Sequence, residues 1–378
     1  MKPITKILII LGIVIIVGLG IYLSWKKITG PSGGGAASTS TPSTNNPSAA
    51  SPLKQISEEK VFDFWTDKDT GEIYYITPTG KIMGAKDGPD PEISSQTLDA
   101  LNFIEVAPGD KKILAAFGSP HAPNWGIFDL IDKVWRPLPA EIVNATWGTK
   151  DSELIGIVKN GNDLNLARVD LAKTPPTYKI LIKDFRFKDV KLTFRNPETL
   201  IISEKPSAFY AGRVWNLDLK KLNLAALLRL EKGLTIKWTK DKSIAFKFSS
   251  SNGLFFSDGG FLKKQLQAVF LTLPEKCGGE ANVAASSSLV YCFVPQQGFP
   301  QKSNLPDDYY QNKFFSVDDL FVLKIDAVKN EIAEIKNPLM SRFNGAPAID
   351  GLNPQVLNNS LYFVNRYDNY LYEFKLEK

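Results

Sequence analysis

One histidine and two cysteines in 378 residues leave little from which to build an imidazole base, a thiolate nucleophile or a zinc site. Structural zinc takes four Cys or His ligands; Cys277, Cys292 and His121 fall one short, and the histidine is distant in sequence. No Gly-x-Ser-x-Gly elbow occurs, which removes the commonest serine-hydrolase signature. Clustered basic charge is missing too. Five lysines and no acid lie in the first 55 residues, so the other 323 carry 40 basic against 40 acidic side chains. A neutral folded part argues against nucleic-acid binding, which rests on Lys and Arg that displace phosphate counterions. No metal, cofactor or catalytic set is expected, and the residues favour a non-catalytic role. What is plentiful is apolar side chain, at 43% with 11% aromatic, ample for a packed core.

The long apolar run is confined to one place. Ile7 to Trp25 are 19 consecutive uncharged residues between Lys6 and the Lys26-Lys27 pair. As a helix they span roughly 28 Å, close to the hydrocarbon thickness of a bilayer. Gly18-Leu19-Gly20 also suits a signal-peptide cleavage site, but Tyr22, Trp25 and the lysine pair continue as an interfacial anchor. The amino group, Lys2 and Lys6 slightly outweigh Lys26 and Lys27, which leans toward a cytoplasmic N-terminus. Residues 1–27 are therefore expected to form a single-span transmembrane α-helix. Residues 28–52, rich in Ser, Thr, Pro and Gly, cannot offset their ordering entropy by apolar burial and form a disordered linker. The expected location is the cell membrane, with residues 53–378 outside the cytoplasm.

Within 53–378 a turn bearing Asp, Asn, Ser, Gly or Lys is followed by a short apolar run, seven times. The runs begin at Ile73, Ile113, Leu154, Leu200, Ile244, Leu289 and Leu361, with gaps of 40, 41, 46, 44, 45 and 72. A second hairpin follows each, as in Gly126 to Trp135. Two hairpins per unit of this length predict an all-β, seven-bladed β-propeller of four-stranded antiparallel blades. The last blade reads one strand short, and Leu53 to Ile56 is expected to supply it and close the ring.

Alternating strands put the turns between second and third strands on one face. The longest are expected at Gly118 to Trp125, Lys205 to Gly212 and Pro295 to Asp318, pointing away from the membrane. Ala107-Pro108-Gly109-Asp110-Lys111-Lys112-Ile113-Leu114-Ala115 resembles the repeat of TolB-like and WD40-like propellers. The Gly-His and Trp-Asp pairs of WD40 repeats are absent, so their partner rules do not carry over. The anchor, spacer and propeller order, with Cys277, Tyr291-Cys292-Phe293-Val294-Pro295 and Leu305 to Gln311, resembles uncharacterised membrane-anchored propellers of candidate-phylum bacteria. That resemblance implies no activity.

Cys277 and Cys292 flank the blade 6 inner hairpin and, in an exported domain, favour a disulfide over two small core residues. His121, in Gly118-Ser119-Pro120-His121-Ala122-Pro123, reads as a solvated loop residue. Asp67-Lys68-Asp69-Thr70-Gly71-Glu72 echoes a calcium loop but reads better as a hairpin turn whose Asp caps backbone amides. The blade 6 insertion is the best candidate for function, with Asp307, Asp308, Tyr309, Tyr310, Phe314, Phe315 and Asp318 as candidate contacts for a peptide, glycan or protein. The same aromatics could instead fold over the propeller mouth as a plug. The resulting expectation is a monomeric, membrane-anchored binding or assembly scaffold. The alternative is a carbohydrate-active hydrolase or lyase using Asp residues at the channel mouth.

Overall fold

Each apolar run marked by its preceding turn is the second strand of a four-stranded antiparallel sheet. The computed structural model describes residues 53–376 apart from 87, 188, 283–286, 327 and 338–346, with backbone alone at 280–282; the anchor and linker expected at 1–52 lie outside the described residues. Six sheets take four consecutive strands each, and we number them as blades 1 to 6: 63–94, 101–137, 142–182, 190–232, 235–267 and 277–336. Blade 7 has three consecutive strands, Gly351–Leu357, Ser360–Asn365 and Tyr370–Lys375, and takes its fourth from the other end of the described chain. Leu53–Gln55 pairs antiparallel with Tyr370–Lys375, Leu53 opposite Phe374 and Gln55 opposite Tyr372. Ile56 N–H then donates to Leu371 O at 2.9 Å. The ring is thus closed by a ladder between chain ends.

The second strands are buried on both faces because each blade is sandwiched between two others. Every residue of Ile244–Ser249 and of Ser360–Asn365 is buried, whereas the outer strand Thr177–Ile182 is mostly exposed. The apolar clusters follow this plan. Trp147 and Leu154 of blade 3 pack with Leu114 and Trp125 of blade 2, and Phe293 of blade 6 packs with Phe363 of blade 7. The turns that announce each run need left-handed backbone, which selects their residue types. Asp110, Lys242, Asn358 and Gly71 have φ of 58°, 59°, 50° and 71°. In the blade 1 turn, the backbone N–H of Asp69 donates to Asp67 Oδ1 at 2.9 Å, the amide-capping arrangement, and Asp67 also pairs with Lys111.

One expected loop is absent. Gly118 to Trp125 is largely strand: Lys112–Ser119 and Ala122–Asp129 pair down to Ser119 opposite Ala122, leaving exposed Pro120 and His121 as a two-residue turn. Pro123 suggested a loop, yet it sits opposite Gly118, which spends its own N–H on Asp99 O at 2.8 Å. A proline is tolerated on such a rung. The other two loops are present, between Glu204 and Ala211 and between Pro295 and Asp318. Leu53 pairs near the C-terminal end of Tyr370–Lys375, so the closing strand starts on the face opposite these loops.

Candidate binding face and channel mouth

The blade 6 insertion, 296–317, carries one short helix, Asp307–Tyr310. It is rooted on charge. Lys276 ends the 3-10 turn Pro274–Lys276 and is fully buried; its ammonium pairs with Asp318 and, at 2.5 Å, with Asp350. Arg366 Nη1 donates to the other oxygen of Asp350 at 2.8 Å, and its Nη2 reaches Tyr309 O at 3.0 Å and Asn312 Oδ1 at 2.6 Å. Tyr309 donates its hydroxyl to Asp350 at 2.9 Å while its ring lies under the Arg366 guanidinium, 3.8 Å away. Ser316 Oγ donates to Asp318 at 2.8 Å, and Gly351 N–H does so at 2.9 Å. Two cations and two anions thus saturate one another in the dry base of the loop. Burial still raises the Asp318 pKa against the pull of Lys276, as expected for a desolvated carboxylate.

The seven candidate residues therefore divide. Asp318 and Tyr309 belong to this buried base, and Phe314 packs on Tyr309 and Phe299. Asp308 accepts from Asn304 N–H at 2.7 Å and pairs with Lys313. Asp307 accepts the N–H of Ala208, across from the blade 4 loop, at 3.1 Å. Tyr310 and Phe315 are the two aromatics left partly open, and Phe315 stacks on Tyr367 of blade 7 with centroids 5.3 Å apart. Both expected behaviours occur in one loop: its inner half plugs, and its outer half displays.

The blade 4 loop adds to that display. The Phe209 N–H donates to Ser207 Oγ at 3.2 Å, and Gly233 N–H donates to Ser207 O, which turns Phe209 and Tyr210 outward at 58% and 79% exposure. Those two side chains fall within the expected loop but were not themselves expected as contacts.

The first strand of every blade lines the central channel, and sequence reading passed over what it presents there. In the half nearer the long loops, Lys237 of blade 5 donates to Cys277 O at 3.0 Å, Asn353 Oδ1 at 3.1 Å and Glu275 O at 3.3 Å. Asn353 of blade 7 in turn donates to Asp63 Oδ1 of blade 1 at 3.2 Å. Desolvation pushes Asp63 up to about 6, offset in part by a hydrogen bond from Phe64 N–H and by Lys237. It pulls Lys237 down to about 8, opposed by Glu275 and Asp63. In the other half, Glu105 accepts from Thr146 Oγ1 at 2.9 Å and is pushed up to about 7 by burial. Below it Lys240 crosses the channel to Asp110 at 3.0 Å and to Thr66 O at 2.8 Å. Cys277 and Cys292 are directly opposite on adjacent strands and form a disulfide. Among the described residues, no three His, Cys, Asp or Glu side chains converge as metal ligands.

No protein-family model matches the chain, and no curated protein matches it. Solved propellers do. The β-propeller domain of Myceliophteria thermophila Cps50 (Swd1) is 7% identical, covering 86% of this chain and 100% of its own, with TM-score 0.52. A chain of the mitotic checkpoint complex is 8% identical, covering 91% of this chain and 100% of its own, with TM-score 0.52. An oligogalacturonate lyase in complex with manganese is 14% identical over 86% of this chain and 98% of its own, at TM-score 0.49. At these identities the likeness is one of fold alone.

Proposed function

We propose that the protein is a binding or assembly scaffold, held at the cell membrane by Ile7 to Trp25 with its propeller outside the cytoplasm. The reading is carried by one observation: Phe209, Tyr210, Tyr310, Phe315 and Tyr367, from blades 4, 6 and 7, stand partly or largely open on the long-loop face. Aromatic side chains on rigidly based loops are the usual anchors of protein and glycan recognition. The start of the closing strand on the opposite face supports an orientation with this face turned away from the bilayer. The anchor, spacer and propeller order supports grouping it with membrane-anchored propellers.

Crosslinking and affinity capture in the native host, with the wild-type chain and a Phe209→Ser, Tyr210→Ser, Phe315→Ser variant, tests the reading. A partner profile that collapses in the variant is expected; identical profiles would remove this face from the account. Protease mapping in intact cells tests the placement, and an uncut propeller in cells whose linker is cut would overturn the orientation.

A second reading, a carbohydrate-active hydrolase or lyase, is favoured by the channel carboxylates. Asp63 and Glu105, held up to about 6 and 7, can each keep or release a proton near neutrality. They replace the insertion's aspartates in that role, because Asp318 is consumed by Lys276 and Asp308 by Asn304 and Lys313. Turnover of a polysaccharide panel that vanishes in Glu105→Gln would establish it.

A further inference from the structure

The long-loop mouth of the channel holds a second set of charges with unfilled valences. Glu275 receives the Tyr310 hydroxyl on Oε1 at 2.7 Å, while its Oε2 is buried and has no hydrogen-bond partner. A buried acceptor left open is costly and is normally filled by a ligand or a water. Asp63 takes its hydrogen bonds from Phe64 N–H and Asn353 Nδ2 both on Oδ1, which leaves Oδ2 as a second acceptor, one not sealed from solvent. Between them Lys237 has no proton to spare, its three donors being taken by Glu275 O, Cys277 O and Asn353 Oδ1. Tyr310 covers the site. Its hydroxyl end is sunk against Glu275 and Thr235, and 40% of its surface remains open.

These facts constrain what fits. Two open carboxylate oxygens demand hydrogen-bond donors, and no uncommitted Lys237 donor is available to hold an anion. A cation is disfavoured as well, because Lys237, with Lys191 close enough to act on it, balances the negative charge of Asp63 and Glu275. The complementary ligand is neutral, rich in donors that can also accept, and carries an apolar face for the tyrosine ring. Hydroxyls on a pyranose ring meet all three requirements. We infer that the channel mouth formed by Glu275, Asp63, Lys237, Asn353 and Tyr310 is a binding site for a neutral saccharide unit. This rests on the long-loop face being the working face, and deepens that reading by naming a ligand class at its centre.

Calorimetric titration of the full-length chain in lipid nanodiscs tests it, avoiding sugar-headed detergents. The probes are cellobiose, chitobiose and mannobiose, with arginine methyl ester, galacturonate and triglycine as the charged and peptidic alternatives. At least one disaccharide is expected to bind with a Kd of about 1 mM or tighter. Glu275→Gln keeps an acceptor for Tyr310 and turns the open oxygen into a donor, and Asp63→Asn does the same across the channel. Each is expected to weaken the disaccharide about ten-fold, the scale of one charge-assisted hydrogen bond, without lowering the melting temperature. Because the two variants lie on different elements, either serves if the other fails to fold. The Phe209→Ser, Tyr210→Ser pair is expected to leave the titration unchanged, so loss of rim binding and loss of sugar binding are read separately. No disaccharide binding, indifference to both mouth variants, or tighter binding of any of the three alternatives would overturn the inference.

Discussion

Two mixed-charge clusters sit back to back at the foot of the blade 6 insertion, and they are put to opposite uses. Lys276, Arg366, Asp318 and Asp350 are matched donor for acceptor and shut away from water. Asp63, Glu275, Lys237 and Lys191 lie at the channel mouth, where Glu275 Oε2 has no donor and Asp63 takes both of its hydrogen bonds on one oxygen. The two clusters share neighbouring residues: Glu275 faces one and Lys276 the other, and likewise Tyr310 and Tyr309. The lesson is that formal charge says little about role. Saturation makes a foundation; incomplete saturation leaves an acceptor that a ligand could fill.

The contrast can be broken most sharply at Lys276. Lys276→Met leaves Asp318 and Asp350 buried without their shared cation, and is expected to destabilise the protein by about 3–5 kcal/mol in urea denaturation. Glu275→Gln, one residue away, is expected to change stability by less than about 1 kcal/mol. Equal losses would erase the distinction. Reducing Cys277–Cys292, whose residues are 15 apart in sequence, is expected to remove about 3 kcal/mol and to loosen the base of the same insertion. Denaturation with and without reductant measures it, and a negligible change would show that the ion cluster alone fixes the loop. The smallest effect lies in the pH dependence. The folded-state pKa of Asp63 is raised to about 6 from 3.8. The folded protein therefore takes up that proton first, and this contribution to stability, full below about pH 4, is lost as pH rises through about 6. Asp63→Asn is expected to flatten that window, adding up to about 2 kcal/mol at pH 7 and nothing at pH 4. A variant that is destabilised at pH 7 would show that Asp63 is a saturated anchor like Asp350.

How much of this was legible in the sequence depends on the range of the interaction. The repeat was legible because each turn is local: a left-handed Asp110 or Asn358 followed by a doubly buried run declares itself within a dozen residues. The closing strand Leu53–Gln55 followed from counting strands, and the paired cysteines from their places on either side of the blade 6 inner hairpin. The ion cluster was not legible, because Lys276 and Asp318 of blade 6 meet Asp350 and Arg366 of blade 7 only when the two blades pack, with 42 and 74 residues separating Lys276 from its two carboxylates. Pro123 misled for a physical reason, since a strand rung that asks for no N–H looks like a loop in sequence. The channel site did leave a trace. Asp63, Glu105, Asn144, Lys191, Lys237 and Asn353 each interrupt an apolar run a few residues before a repeat turn, at the inner-strand position of their blade. Aligning the repeats on that strand would have exposed them.

The antiparallel ladder between Leu53–Gln55 and Tyr370–Lys375 also sets how the domain bears mechanical load. A pull transmitted through the chain ahead of Leu53 runs along the strand axis, so its rungs are loaded together in shear instead of being unzipped one at a time. Behind them, the Ile56–Leu371 and Val61–Asn369 backbone bonds hold the same segment to blade 7. Under the proposed membrane attachment, a propeller held through this strand would resist drag, with the grip strongest at the closing ladder itself.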